Sequence, residues 1–263
     1  MDKNRFYLDT IYYDTLYLKF KEGISKYELI SENDKILVCI SGGKDSMLMA
    51  KLFEMYKEEN DTFDLVYLVM DPGYNKTNLD VIKANLDYLK IDAIIQETNI
   101  FEVATTQTKN PCFLCARMRR GALYNIAKIY RCNKISLGHH FDDVVVTNLM
   151  NLINAGSFQT MLPKLHSTNF PGIDLIRPMY LIEEENIVKW KEQNNLEFIQ
   201  CACKLTEGVY NHDTNSQRQN TKRLIKEIKQ IYPDVERKIF ESSDNVYLDS
   251  ILGIKESEFN DGK

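Results

Sequence analysis

The chain is predicted to be an α/β protein: a Rossmann-like parallel sheet with helices on both faces. Three observations in its 263 residues carry that reading. Short apolar runs alternate with stretches of helical periodicity, which is the βαβα order of a parallel sheet. The clearest runs are apolar at nearly every position, as strands covered on both faces must be. The chemically distinctive residues fall just after the runs, at the strand edge where such sheets bind ligands.

In chain order, residues 1–33 mix Tyr and Phe with charges and read as a helical or hairpin lead-in. Residues 35–40 (KILVCI) form a buried strand, 46–58 a helix, and 65–70 (LVYLVM) a second strand. A helix over 78–89 and a short strand over 93–97 follow, then a helix over 114–130, a strand over 134–137 and a helix over 142–153. Turn-forming residues cluster over 154–178, which reads as loop. A helix near 184–194, a short strand over 197–200 and a largely helical tail complete the chain. No repeat or low-complexity linker is visible. The expected divisions are a lead-in (1–33), a ligand-binding core (34–182) and a mostly helical extension (183–263).

Apolar residues make up 44% and charged residues 27%, which excludes a disordered, fibrous or collagen-like chain. No apolar run approaches the roughly 20 residues that span a bilayer. The opening MDKNRFYLDT has no apolar signal core, so a cytoplasmic location without a membrane partner is expected. The net charge of −5 argues against a polyanion partner, but the charge is uneven. Residues 112–135 hold six basic side chains (Arg117, Arg119, Arg120, Lys128, Arg131, Lys134) and no acid. Residues 215–229 hold five (Arg218, Lys222, Arg223, Lys226, Lys229) against Glu227 alone. Two positive segments on an acidic body fit a localised polyanion site.

Three motifs carry chemistry. The first is Ser41-Gly42-Gly43-Lys44-Asp45-Ser46, between a strand and a helix. Its glycines permit close backbone approach, and the helix N-terminus, hydroxyls and Lys44 supply donors to an anion. The spacing is neither Walker A nor GxGxxG. The second is Gly138-His139-His140-Phe141-Asp142-Asp143, where adjacent carboxylates at a helix start can share Mg2+ with phosphates. The third is Cys112-Phe113-Leu114-Cys115, whose spacing suits zinc, an iron–sulfur cluster or a redox pair. Of six cysteines, Cys39 and Cys132 read as core residues, while Cys201 and Cys203 stand far downstream as a C-A-C element. Asp71, ahead of Pro72-Gly73-Tyr74, ends the second strand where an adenine could be read or where a plain turn sits.

SGGKDS after the first strand resembles the PP-loop ATP pyrophosphatases, which have an adenine nucleotide alpha hydrolase-like fold. Taken with CxLCxRxRRG, LGHHxDD and a late Cys before Ser216–Gln219, the chain is similar to the tRNA 2-thiocytidine synthetase group from about residue 20 to 245. That resemblance implies ATP bound through Ser41, Gly42, Gly43, Lys44, Asp45 and Ser46, with Asp71, Gly138, His139, Asp142 and Asp143 around the nucleotide. Asp45 and Asp143 would meet Mg2+ and the phosphates. It implies a 4Fe–4S cluster on Cys112, Cys115 and Cys201, with one iron free of protein ligands. The family usually has CxxC late in the chain; here the element is one residue shorter, so Cys203 is the alternative third ligand. The resemblance also implies tRNA as a partner, held by Arg117, Arg119, Arg120, Arg218, Lys222 and Arg223. A sulfur donor such as a cysteine desulfurase or free sulfide is a further expected partner, and a homodimer is one assembly this reading admits. The activity implied is adenylation of C2 of a cytidine followed by replacement of its oxygen by sulfur. The altered late element and an insertion over 209–214 keep open another RNA base or a small heterocycle. A zinc-stabilised nucleotide-binding module is the remaining alternative, against which the full set Asp45, Asp142 and Asp143 argues.

Overall fold

Strand β1 (Lys35–Ile40) lies at the centre of a six-stranded sheet and is buried along almost its whole length. The computed structural model describes residues 12–107, 111–199 and 217–254. The other strands are β2 (Asp64–Asp71), β3 (Ala93–Glu97), β4 (Lys134–Ser136), β5 (Lys164–His166) and β6 (Asp174–Ile176). They are ordered β3-β2-β1-β4-β6-β5, all parallel except β5, which runs antiparallel to β6. The order steps outward from β1 in both directions, so a crevice opens between the C-terminal ends of β1 and β4. The 41–46 and 138–143 segments flank that crevice.

The helices are α1 (Lys19–Lys26, entered through a π-helical stretch at Tyr13–Leu18), α2 (Lys44–Glu59), α3 (Lys76–Leu89), α4 (Ile100–Gln107) and α5 (Pro111–Ile129). After them come α6 (Phe141–Asn154), α7 (Glu184–Gln193), α8 (Gln217–Ile231) and α9 (Val235–Glu241). Because successive strand side chains point to opposite faces, β1 feeds two cores. Ile36, Val38 and Ile40 join Phe20, Met47, Leu48, Phe53, Ile82 and Trp190 on one face. Leu37 and Cys39 join Ile100, Tyr124, Ala127 and Ile135 on the other. A third cluster, Val144–Val146 with Tyr180, Ile225 and Phe240, fastens α8 and α9 to α6. Residues 12–26 of the lead-in pack into the first of these cores through Tyr12, Leu16, Tyr17, Phe20 and Ile24. Cys39 and Cys132 are buried core residues, as their apolar settings predicted. Among the described residues no helix is long and apolar enough to cross a membrane.

Two expectations need correction. The 154–178 stretch is not all loop, since it holds the β5–β6 hairpin. Strands of three residues are too short to show a period. α4 is an element that the apolar pattern does not announce: its β-branched residues (IFEVATTQ) weaken the helical signal. Residues 197–199 form no strand, and Gln200 lies outside the described residues. There the Asn85 side chain donates to the Glu197 carbonyl at 2.7 Å, and Phe198 and Ile199 pack on the core, so side chains do what strand pairing was expected to do.

Candidate active site

The turn from β1 into α2 is held by its own hydroxyls. The Ser41 amide donates to Ser46 Oγ at 3.0 Å, and Ser46 Oγ donates to the Gly43 carbonyl at 3.0 Å. Gly42 has φ +82°, where any side chain would be strained, and a Cβ there would meet Ile82 at 2.7 Å. The turn therefore presents the unpaired first amides of α2 outward, the arrangement that receives a phosphate. Tyr74 O–H donates to the Ser41 carbonyl at 3.1 Å, while Asp71 accepts from the Gly73 and Tyr74 amides at 2.8 and 2.7 Å. The Asp71 carboxylate thus shapes the turn after β2.

The second motif packs directly on the first. A Cβ on Gly138 would stand 3.1 Å from the Ser46 nitrogen and 3.2 Å from Asp45 C, so only glycine lets β4 come this close to α2. His140 caps α6, and its amide donates to Asp143 at 3.2 Å. Its imidazole sits among three carboxylates: Asp45 at 3.9 Å, Asp142 at 3.6 Å and Asp143 at 3.5 Å. Burial pushes the His140 pKa down, but these acids outweigh it and hold it above the usual histidine range. Burial, reinforced by Arg177, pushes His139 the other way, to about 4. Burial would raise Asp142, but the His140 imidazole and the Glu184 amide outweigh it and hold the carboxyl below its usual range.

Motif spacing did not point to Glu184. It accepts from Lys44 at 3.0 Å and from Lys222 of α8 at 3.1 Å, and its amide donates to Asp142 at 2.7 Å. Burial opposes its ionisation, yet Lys44 and Lys222 depress it to about 2. Lys44 also binds Asp45 at 2.9 Å. Arg218 donates to Asp143. Two residues expected to hold RNA, Arg218 and Lys222, are thus engaged with acids of the site, whereas Arg223 donates to Asn220 on the surface.

A cavity of about 260 Å³ joins the parts. The 41–46 loop lines it through Ser41, Asp45 and Ser46, the second motif through Gly138, His139 and Asp143, and α5 through Arg119 and Leu123. Cys112 and Cys115 stand on the first turn of α5, where a spacing of three puts positions on one helix face. Cys115 is half-buried against the core beside Met118, and Arg117 and Arg120 are exposed on the same helix. Cys201 and Cys203 lie outside the described residues. Among the described residues no three His, Cys, Asp or Glu side chains gather as a metal site. Two cysteine positions three apart on one helical turn suit a soft iron–sulfur ligand set, and Asp45 and Asp143, both beside His140 Nε2, are hard oxygen donors that suit Mg2+.

Residues 14–220 match the PP-loop domain family, ATP_bind_3. The tRNA-cytidine(32) 2-sulfurtransferase of Geobacter metallireducens is 32% identical over 238 residues, covering 88% of this chain and 90% of its own. That of Syntrophotalea carbinolica is 31% identical over 254 residues, covering 94% and 96%. In fold, the chain is similar to the U34-tRNA thiolase NcsA of Methanococcus maripaludis, solved with its 4Fe–4S cluster. The TM-score is 0.67 at 20% identity, covering 86% of this chain and 76% of that one. The loop between β1 and α2, the glycine contact that brings β4 against it and the relatives that match over most of their length agree: the chain belongs to the PP-loop family, among the tRNA-cytidine(32) 2-sulfurtransferases.

Proposed function

We propose that the chain is an ATP-dependent sulfurtransferase that converts a tRNA cytidine to 2-thiocytidine. The single observation that carries the reading is the shared cavity: the phosphate-receiving loop, the histidine–aspartate segment and the helix bearing Cys112 and Cys115 all wall it. The family names of the relatives support the substrate, and a tRNA substrate goes with a cytoplasmic location.

The cytidine O2 is a poor leaving group. It attacks the α-phosphorus of ATP, a P–O bond forms to O2, and pyrophosphate leaves. The first amides of α2, Ser41, Ser46 and Lys44 receive the charge that moves onto the pyrophosphate. Lys44 can serve there by exchanging Glu184 for phosphate oxygen. A sulfide then attacks C2, the C2–O bond breaks, and AMP departs with the former O2. His139, neutral at pH 7, faces the cavity as a hydrogen-bonding group that adds no charge to it.

Asp45 and Asp143 are the residues that would hold Mg2+, which supplies charge neutralisation between the phosphates. Cys112, Cys115 and Cys201, with Cys203 as the alternative, would hold a 4Fe–4S cluster. The cluster supplies a place for the sulfur to be transferred. Arg117, Arg119 and Arg120 on α5 and Arg223 on α8 remain the candidates for RNA backbone contact. The donor would be sulfide, free or from a cysteine desulfurase.

The test has two parts. The protein, purified and reconstituted without oxygen, is given tRNA, ATP and sulfide, and AMP, pyrophosphate and thiolated nucleosides are measured. Nucleosides of tRNA from a deletion strain are analysed in parallel. AMP formed in step with 2-thiocytidine, and loss of that nucleoside in the strain, support the reading. A different thiolated base moves the substrate, and no thiolated nucleoside at all refutes it.

A further inference from the structure

Arg177 follows β6 directly and is buried, with 9% of its surface exposed. One terminal nitrogen donates to the Leu162 carbonyl, while Nε has no acceptor among the described residues. No carboxylate of the described residues pairs with it. Asp143 acts on it through its charge but is already engaged by Arg218, and the neighbouring Arg120 repels it. A buried cation without a partner is costly and persists where something else supplies the anion.

Its place indicates which anion. Ser136 of β4 pairs with Ile176 of β6 and with Val38 of β1, so Arg177 stands on the same C-terminal edge as the 41–46 loop. It is two strands away, roughly 10 Å, with the Gly138–His139 segment between them. Arg177 and Arg120 do not themselves line the cavity; from α5, Arg120 and Tyr124 act on Arg177 through their charge.

We propose that Arg177, together with Arg120, binds a backbone phosphate of the RNA nucleotide presented for modification. The inference rests on the tRNA reading above and adds a site to it. A phosphodiester between the two guanidiniums would cancel their mutual repulsion and fix the sugar of a splayed nucleotide beside the cavity.

The test measures binding rather than turnover. Full-length protein is titrated anaerobically with transcribed tRNA over a range of salt, and separately with ATP, for wild type, Arg177→Gln, Arg177→Lys and Arg120→Gln. Arg177→Gln is expected to weaken tRNA binding about 10- to 100-fold, a charge-assisted contact's worth. The salt slope should fall by about 0.7, the value of one single-strand phosphate. Arg177→Lys should keep most of that slope, ATP affinity should hold within about twofold, and Arg177→Gln should melt no lower than wild type, because it removes an uncompensated buried charge. Unchanged tRNA affinity and slope in Arg177→Gln overturn the proposal. So does an equal loss of ATP affinity, which would give the residue to the nucleotide, or a lowered melting point with unaltered salt slope, which would make it structural. Arg120→Gln folds independently of the buried site and must itself reduce the slope. A wild-type protein that binds no tRNA sinks the tRNA reading and this inference with it.

Discussion

Replacing Gly138 by alanine should damage both the fold and ATP use, and the size of the effect can be worked from three contacts. The new Cβ would lie 3.1 Å from Ser46 N, 3.2 Å from Ser46 Cα and 3.2 Å from Asp45 C. Carbon contacts are comfortable at about 3.5–4.0 Å, so several tenths of an ångström must be found. All three atoms are backbone in the first turn of α2 and cannot swing aside. The turn cannot retreat either, because Ser46 Oγ ties it to Ser41 and Gly43 and because Met47, Leu48 and Met49 behind it are fully buried. Overpacking of this kind costs about 1–3 kcal/mol. For a chain of this length each kcal/mol lowers the melting point by about 2–4 °C, so a loss of roughly 2–12 °C is expected. The same displacement moves the amides that face phosphate, so KM for ATP should rise about tenfold. Gly121→Ala on α5 is the control: nothing lies within 4 Å of its Cβ, and the substitution should be neutral or stabilising. Calorimetry and AMP-release kinetics on the two variants decide the matter. A Gly138→Ala protein with wild-type melting point and wild-type KM would refute the packing argument.

Asp45→Ala should abolish AMP formation while the melting point stays within a few degrees, as checked by nucleotide chromatography and calorimetry; undiminished AMP release would remove Asp45 from the reaction. Glu184→Gln should cost stability at neutral pH. A carboxylate held at about 2 against an ordinary 4.5 stabilises the fold fully above pH 4.5 and loses that contribution as pH falls toward 2. The urea-derived stabilities of wild type and Glu184→Gln should therefore differ by on the order of 2 kcal/mol at pH 7 and converge only as pH falls to about 2; parallel curves would contradict the assignment. Cys201→Ala and Cys203→Ala, made separately, should differ in iron content after anaerobic reconstitution, with loss in the first and retention in the second. The reverse pattern transfers the ligand to Cys203, and loss in both indicates a closed four-cysteine site.

The sequence shows the centre of this fold far better than its edge. β1 and β3 have the bounds that their apolar runs predict because turn residues close each run sharply. β5 and β6 have three residues each, and their pairing depends on partners the local sequence does not contain. The site divides in the same way. The 41–46 loop and the 138–143 segment were legible because glycines and acids between a strand and a helix have few other uses. Glu184 looks like any acid in the first turn of a helix, and its role exists only once α7 brings it against Lys44 and Lys222. Arg177 looks like a residue at the start of a turn, and it becomes a buried cation only when β6 takes its place beside β4.

The charges around the cavity explain why these unforeseen residues matter to the foreseen ones. Asp45, Asp142, Asp143 and Glu184 converge on one small region and are answered there by Lys44, Arg218 and Lys222, with His140 held toward its protonated form. Without nucleotide the acids are nearly balanced, and the balance depends on two cations from α8. A triphosphate adds several negative charges to a site that already has its acids in place, so its entry requires either a divalent cation or the release of acids from their partners. Lys44 is the point of exchange, because the ammonium that suits a phosphate is the one now shared by Asp45 and Glu184. If Lys44 turns to phosphate, Glu184 keeps only Lys222, and the hold of α7 on α8 changes with it. α8 begins immediately after residues 200–216, which include Cys201 and Cys203, and it carries the exposed Arg223. The proposed nucleotide site is therefore linked to α8, with its candidate RNA contact Arg223, through one short chain of ion pairs, Asp45–Lys44–Glu184–Lys222. Its members come from the first turns of α2 and α7 and from α8, which packs on α6.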